Sequence, residues 1–251
     1  MKIAALSDIH SNVFALEAVI NDAEKSGVEL MLNLGDILYG PIAPKATYDM
    51  LKGLNFIAIR GNEDRRIYEA TQEEIETNPT MQFIRDDLGD VPLIWLKSLP
   101  FDKQINDDIY ICHGTPADDS EYLLEDVGTG IPRLRSDRDI VSLLKGQSSP
   151  LVICGHTHLP RTVMLESGQL IINPGSVGLP AYTDDKPVFH VMENFSPHAS
   201  YAVIEENGKS WTIQQLKVPY DYKKAAEEAR KHQREDWAHF LTTGRGYKVR
   251  G

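Results

Sequence analysis

Only two cysteines, Cys112 and Cys154, occur in 251 residues, and each closes an apolar run. Two are too few to staple a chain of this length, so disulfides do not hold the fold and reduced core thiols are the expected state. No stretch approaches the roughly 20 apolar residues that a helix needs to cross a bilayer, so no membrane partner is expected. Basic residues are in deficit, 26 Lys and Arg against 37 Asp and Glu, for a formal charge of -11. That balance argues against a surface built to hold double-stranded nucleic acid through its phosphates. An anionic substrate would need a local positive centre, which bound metal cations can supply. Nor is an export signal expected: Met1–Leu6 runs directly into Ser7-Asp8-Ile9-His10 and reads as a first buried strand instead, so the cytoplasm is the expected location by default.

Apolar residues make up 41% of the chain and charged residues 25%, a globular balance that suits one large α/β domain. Ile3–Leu6 reads as a strand, and Asn12 can cap a helix whose Val13, Leu16, Val19 and Ile20 recur at helical spacing. Leu30–Leu34 predicts a second strand, Pro44–Leu51 a second helix and Phe56–Ile59 a third strand. Short, uniformly apolar strands are expected where both sheet faces are covered, so this half predicts a mostly parallel unit. Arg66–Leu99 is helical in pieces, with breaks expected at Pro79 and around Gly89 and Pro92. Asp108–Cys112 is another strand, and residues 115–146 read as a lid or side excursion. From Leu151 onward strands dominate, which predicts a second sheet with antiparallel character. The simplest architecture is α/β, two sheets packed together with helices outside. Residues 1–218 form the domain, and 219–251 a C-terminal surface helix and a loosely held tail from Thr242.

Five apolar runs end in a metal-capable group: Asp8 and His10, Asp36 after Gly35, Asn62 after Gly61, His113, and His156 and His158 within Gly155-His156-Thr157-His158. Ligands collect beyond the carboxyl ends of strands in α/β sheets, so these segments can converge on one crevice. Each i,i+2 pair can point both members the same way if its backbone is extended. The glycines at 35, 61, 114 and 155 permit tight turns or close approach. One tetrahedral structural site needs about four ligands; two carboxylates, four imidazoles and one amide suffice for two ions sharing a carboxylate. Mixed oxygen and imidazole donors suit manganese, iron, zinc, nickel or cobalt. Two such ions can neutralise phosphoryl oxygens and generate a hydroxide nucleophile at neutral pH.

Taken together, Asp8-Ile9-His10, Gly35-Asp36, Gly61-Asn62, His113-Gly114 and Gly155-His156-Thr157-His158 resemble the five-block signature of the calcineurin-like metallophosphoesterases. Asn173-Pro174-Gly175-Ser176-Val177-Gly178 is similar to a segment of the superfamily's small bacterial and archaeal phosphodiesterase branch. The resemblance implies a four-layer αββα sandwich of two mixed sheets flanked by helices. It also implies that Asp8, His10, Asp36 and His158 hold one divalent ion and that Asp36, Asn62, His113 and His156 hold the other, with Asp36 bridging. In-line attack by a bridging hydroxide on phosphorus is the implied chemistry, with Asn62 also near the phosphate.

Around that phosphate the candidate catalytic residues are Asp36, Asn62, Glu63, Asp64 and Arg60. Many relatives carry a histidine where this chain has Glu63, and that histidine is thought to protonate the leaving group. An ionised Glu63 would repel an anion and can donate no proton unless its pKa is raised, so the expectation is that the leaving group needs little protonation or that Glu63 points away. Arg60 is expected either to meet a phosphate oxygen or to pair with Asp64. Ser176 and the amides of Gly175–Gly178 either line the pocket or form an ordinary tight loop. Arg133, Arg135 and Arg138 read as a solvated helix face, with contact to an extended polyphosphate as the alternative. His190, His198, His232 and His239 are left as surface or packing residues, and Pro187–Glu193 and the charged tail as candidates for a homo-oligomer contact. The leading function is phosphodiester hydrolysis of a small phosphorylated substrate, with a nucleotide among the candidates. Dinucleoside polyphosphate hydrolysis and phosphomonoesterase activity are the alternatives. A non-catalytic binding module on the same fold is disfavoured because no ligand position is missing.

Overall fold

The computed structural model describes residues 1–208 and 210–247. β1 (Lys2–Leu6), α1 (Val13–Lys25), β2 (Leu30–Asn33), α2 (Pro44–Lys52) and β3 (Phe56–Ala58) make the expected parallel unit. Asn12 caps α1 by accepting from the Ala15 N–H. Four short helices follow, α3 (Asn62–Glu69), α4 (Gln72–Thr77), α5 (Pro79–Leu88) and α6 (Asp90–Ser98). Pro92 breaks nothing, because it lies in the first turn of α6, where the missing N–H has no intrahelical partner to lose. Then come β4 (Asp102–Gln104), β5 (Ile109–Cys112), the small pair β6 (Glu125–Asp126) and β7 (Arg133–Leu134), and α7 (Asp137–Leu143). The strand-rich remainder contains β8 (Leu151–Ile153), β9 (Arg161–Met164), β10 (Leu170–Asn173), β11 (Ala181–Asp184), β12 (His190–Glu193), β13 (Ala199–Asn207) and β14 (Ser210–Val218). α8 (Tyr222–Lys231) and α9 (Glu235–Thr243) end the ordered sequence of elements.

The late strands do not form the second sheet by themselves. One five-stranded sheet has the order β14-β13-β1-β2-β3 and the other β4-β5-β8-β10-β9, so the β13–β14 hairpin returns to the first sheet. β13 pairs antiparallel with β1 and is buried over Ala199–Ile204, a position that only a central strand can fill. The second sheet has a parallel centre, β5, β8 and β10, with antiparallel strands at both edges.

Alternation explains why the central strands carry no polar face. Ile3 and Ala5, Ile109 and Ile111, Leu151 and Ile153, and Leu170 and Ile172 meet between the sheets. Their neighbours Ala4 and Leu6 face a helical layer made from α1, α2, α5, α8 and α9. Tyr110, Cys112, Val152, Cys154 and Ile171 face outward on the other side, where Leu123, Leu124, Ile140 and Leu144 cover them. The result is the four-layer αββα sandwich. Of residues 115–146, Leu123, Leu124, Ile140 and Leu144 are buried in the outer cover of the second sheet, whereas Ile131, Leu134 and Val141 are exposed. Both cysteines are free and buried.

The C-terminal segment is two helices, not one, with a break after Lys231, and Ala225, Ala226, Ala229, Trp237, Phe240 and Leu241 belong to the main core. Thr242 and Thr243 complete α9. Gly244 O accepts from the Phe195 N–H at 2.9 Å, and Tyr247 stacks on His239 with ring centroids 4.5 Å apart. These contacts hold residues expected to be loose; residues 248–251 of that tail lie outside the described residues.

Candidate metal centre

The carboxyl ends of β1, β2, β3, β5 and β8 bring the strand-end residues together. Asp8, His10 and His158 place one ligand atom each within 4.8 Å of one another, and so do Asp36, His113 and His156. His158 Nε2 lies 3.3 Å from Asp8 Oδ1 and 3.1 Å from His10 Nε2. Asp36 Oδ2 lies 3.4 Å from His113 Nε2 in its own group and 3.9 Å from His10 Nε2 in the other, so it stands between the two. Asn62 Oδ1 is 3.0 Å from His113 Nε2.

The backbone that achieves this is not the extended one expected from i,i+2 spacing. Asp8, His10, Asp36, His156 and His158 all take left-handed conformations, with φ of 55, 49, 54, 71 and 59°. Such values are uncommon outside glycine, although Asp and His tolerate them better than most residues, and they cost roughly 1–3 kcal/mol each unless the surroundings hold them. The chain reverses locally, and His156 and His158 consequently part to different clusters. Backbone bonds lock the turns: Asp8 N–H donates to Gly35 O, His10 N–H to Asp36 O and Gly155 N–H to His113 O, at 2.8–3.0 Å. At Gly61 a Cβ would collide with the Asp36 carboxylate, and at Gly155 with the Ser7 side chain, so close approach is what these two positions require.

Each of the four imidazoles is tied at its other ring nitrogen to a backbone carbonyl. His10 Nδ1 meets Tyr39 O at 3.0 Å, His113 Nδ1 Leu34 O at 2.7 Å, His158 Nδ1 Leu179 O at 2.6 Å and His156 Nε2 Ser120 O at 3.1 Å. A carbonyl only accepts, so each of these nitrogens donates, which fixes the tautomer and leaves the opposite nitrogen free to coordinate. The carboxylates are divided likewise. Asp8 Oδ2 accepts from the His156 N–H at 3.1 Å and Asp36 Oδ1 from the Glu63 N–H at 2.9 Å. Asp8 Oδ1, fully buried, has no hydrogen-bond partner among the described residues. A buried carboxylate oxygen without a donor is what a cation would satisfy, so the donor set fits two divalent ions.

Charge is concentrated accordingly. Burial opposes ionisation of Asp36, but His113, His10 and His156 hold its carboxyl well below the usual range. Burial also opposes protonation of His113, yet Asp36 and Asp8 raise it to about 10. Burial and the His158 charge push His10 down to about 4, and burial with the His113 charge does the same to His156.

The model of the calcineurin-like phosphoesterase superfamily domain matches residues 1–195. The chain belongs to the calcineurin-like phosphoesterase superfamily. An uncharacterized protein of Methanocaldococcus jannaschii is 28% identical, with 94% of each chain covered. A metallophosphoesterase from Sphaerobacter thermophilus superposes with a TM-score of 0.75 at 26% identity, over 97% of this chain and 100% of that one. A hypothetical protein from Pyrococcus horikoshii shares the fold, with a TM-score of 0.76 at 19% identity over 97% and 98% of the two chains.

In this calcineurin-like chain several residues serve the centre from outside it. Arg60 neither faces the clusters nor pairs with Asp64: its Nη1 donates to Asp119 Oδ2 at 3.0 Å, an acceptor brought from residues 115–146 that its own loop does not provide. Asp64 is fully buried and accepts from the N–H groups of Gly61, Ile37 and Leu38 at 3.1, 2.8 and 3.2 Å, so it ties the loop after β2 to α3 rather than facing the cleft. Burial and the Asp36 charge raise Asp64 to about 7. Glu63 does line the cleft, 3.5 Å from Arg66, and burial and Asp36 likewise raise it to about 7. The amides of Val177 and Gly178 donate to Ser7 O and Asp8 O, which makes the Asn173–Gly178 loop a clamp on the backbone beneath Asp8 and not a pocket wall.

Arg133 and Arg135 are not on a helix, Arg133 lying in β7 and Arg135 donating to Tyr122 O at 3.2 Å. His232 and His239 stack on Phe83 and Tyr247, and His190 is buried against Tyr122.

The cleft above the clusters encloses about 300 Å³ and is walled by Tyr39, Tyr122, Tyr182, Arg234 and Trp237 in addition to the expected residues. Sequence reasoning missed these five, and also Arg66, Asp184, Asp236 and Phe240 on the same wall. Tyr39 follows Asp36 closely enough to have been suspected, whereas nothing local marks Tyr122, Tyr182, Arg234 or Trp237.

Proposed function

We propose that this protein is a dinuclear metal-dependent phosphodiesterase that acts on a small phosphorylated substrate in the cytoplasm. Asp8, His10, Asp36 and His158 hold one ion and Asp36, Asn62, His113 and His156 the other, with manganese one of the suitable metals. The observation that carries this reading is the Asp36 carboxylate set between the two Asp/His clusters, each imidazole tautomer already fixed for coordination. Two divalent ions supply positive charge for phosphoryl oxygens and lower the pKa of water.

The protein's own part is to position. Asn62 can offer an N–H to the phosphate, because its oxygen faces His113. Glu63, Asp184 and Asp236 also line the cleft, and carboxylates disfavour the dianion of a monoester more than the monoanion of a diester. Buried, unpaired cysteines suit a reducing compartment.

Asp36→Asn tests the reading: we expect stoichiometric loss of bound metal by elemental analysis, and loss of bis(p-nitrophenyl) phosphate hydrolysis, with an unchanged circular dichroism spectrum. Full activity in that variant would remove the bridging assignment.

A further inference from the structure

The family match ends at residue 195, yet Arg234, Trp237 and Phe240 wall the cleft over the two clusters. The C-terminal helical segment thus brings to the site groups that the shared domain does not contain. Trp237 meets His10 edge-on, with ring centroids 5.7 Å apart. The Arg234 guanidinium lies 5.4 Å over the same indole and is braced by Asp236 through bonds of 2.8 and 2.6 Å. On the loop after β2, Tyr39 repeats the arrangement: Arg66 lies 5.4 Å over its ring and is braced by Glu74 at 2.7 Å. Two aromatic rings, each largely buried and fastened by a guanidinium over the ring, border the cleft close to the reacting centre.

Two further tyrosines offer rings rather than hydroxyls. The Tyr182 hydroxyl donates to the Tyr122 hydroxyl at 2.9 Å, and the Tyr122 hydroxyl engages His190 Nε2 at 3.0 Å. His190 Nδ1 already faces Val188 O at 2.8 Å, which makes Nε2 the acceptor and completes the chain. Their phenol groups are satisfied inside the protein, so the two residues border the cleft with ring carbons rather than with free hydroxyls. Charge narrows the choice further. The two cations of the wall, Arg66 and Arg234, are each paired with carboxylates, and Glu63, Asp184 and Asp236 also line the space. Such walls do not attract a second phosphoryl group.

We infer that the cleft selects a phosphoester whose organic arm carries a planar aromatic ring of nucleobase type and which bears a single phosphoryl group, with Trp237 and Tyr39 reading the ring. The inference rests on the phosphoesterase reading for what anchors the phosphoryl end. It disfavours the polyphosphate alternative.

The test is calorimetric titration of the manganese-loaded protein with adenosine 5′-monophosphate and with ribose 5-phosphate, which share the phosphate and differ in the base. We expect the nucleotide to bind about tenfold tighter or more, the scale of one stacked base, and adenosine 5′-diphosphate to bind no tighter than the monophosphate. Trp237→Leu and Tyr39→Leu should each lower the nucleotide-to-sugar ratio at least about threefold at unchanged metal content, while Trp237→Phe keeps most of it. Tyr39→Leu stands alone if Trp237→Leu does not fold. Equal binding of nucleotide and sugar phosphate, no measurable binding of either, or a ratio that survives in the folded leucine variants would overturn the inference. Failure of the phosphoesterase reading shows separately, as no hydrolysis of bis(p-nitrophenyl) phosphate with any of the candidate metals.

Discussion

The Ser176 hydroxyl donates to the Asp8 carbonyl oxygen at 2.8 Å and accepts from the Leu179 N–H at the same distance. Leu179 O in turn receives His158 Nδ1 at 2.6 Å, so one fully buried hydroxyl couples two members of the first cluster. Ser176→Ala leaves the buried Leu179 N–H unpaired, while the Asp8 carbonyl keeps only the Gly178 N–H. A loss of about 1–3 kcal/mol in denaturant unfolding is expected, together with weaker metal binding in a competition titration with a chelator. Wild-type values for both would show that the neighbouring backbone bonds hold the loop unaided.

Gly61→Ala should act on the centre rather than on the fold. The added methyl group would overlap the Asp36 carboxylate, whose Oδ1 also holds the Glu63 N–H. Metal content and hydrolysis are expected to fall by an order of magnitude or more, with the dichroism spectrum retained. Gly27→Ala is the contrast: its φ is +71° but nothing lies within 4 Å, so a stability loss of about 1 kcal/mol without loss of metal is expected.

Asp119 is not a candidate ligand, and it gives stability a pH dependence of its own. Burial raises its pKa, but hydrogen bonds and charge from Arg65, with further charge from His113 and Arg60, outweigh burial and hold it below the ordinary 3.8. A depressed folded pKa stabilises the protein above the unfolded value and loses that contribution as pH falls through the folded one. Asp119→Asn should therefore lower stability by about 2 kcal/mol at neutral pH, and the difference from wild type should shrink below about pH 4. Unfolding curves at pH 7 and pH 3 check this, and a constant difference would refute it.

Glu63 lines the cleft in place of the histidine that the sequence resemblance leads one to expect. Above about pH 7, where Glu63 is ionised and can donate no proton, the rate should depend steeply on the leaving group's own acidity. A series of aryl phosphodiesters is expected to show a steeper slope for wild type than for Glu63→His, and equal slopes would mean that residue 63 takes no part in departure of the leaving group.

How much of this was legible beforehand follows from range. The parallel unit, the cap at Asn12 and the strand-end residues are local patterns, and they were readable because alternation and spacing act within a few positions. The return of β13 to β1 was not, since Ala199–Ile204 carries the same apolar pattern whichever sheet receives it. Arg60 was misassigned for a related reason: its partner Asp119 is 59 positions away, whereas Asp64 is near in sequence.

The sequence alone determined which side chains could bind metal and that they sit where strands end, because ligand chemistry belongs to the residue and strand ends are set by local turns. Tertiary structure decided which carboxylate stands between the clusters, which nitrogen of each imidazole is left free, and that a tryptophan beyond residue 195 borders the cleft. Those outcomes depend on carbonyls and rings brought in from distant elements by packing, and no local preference encodes their meeting.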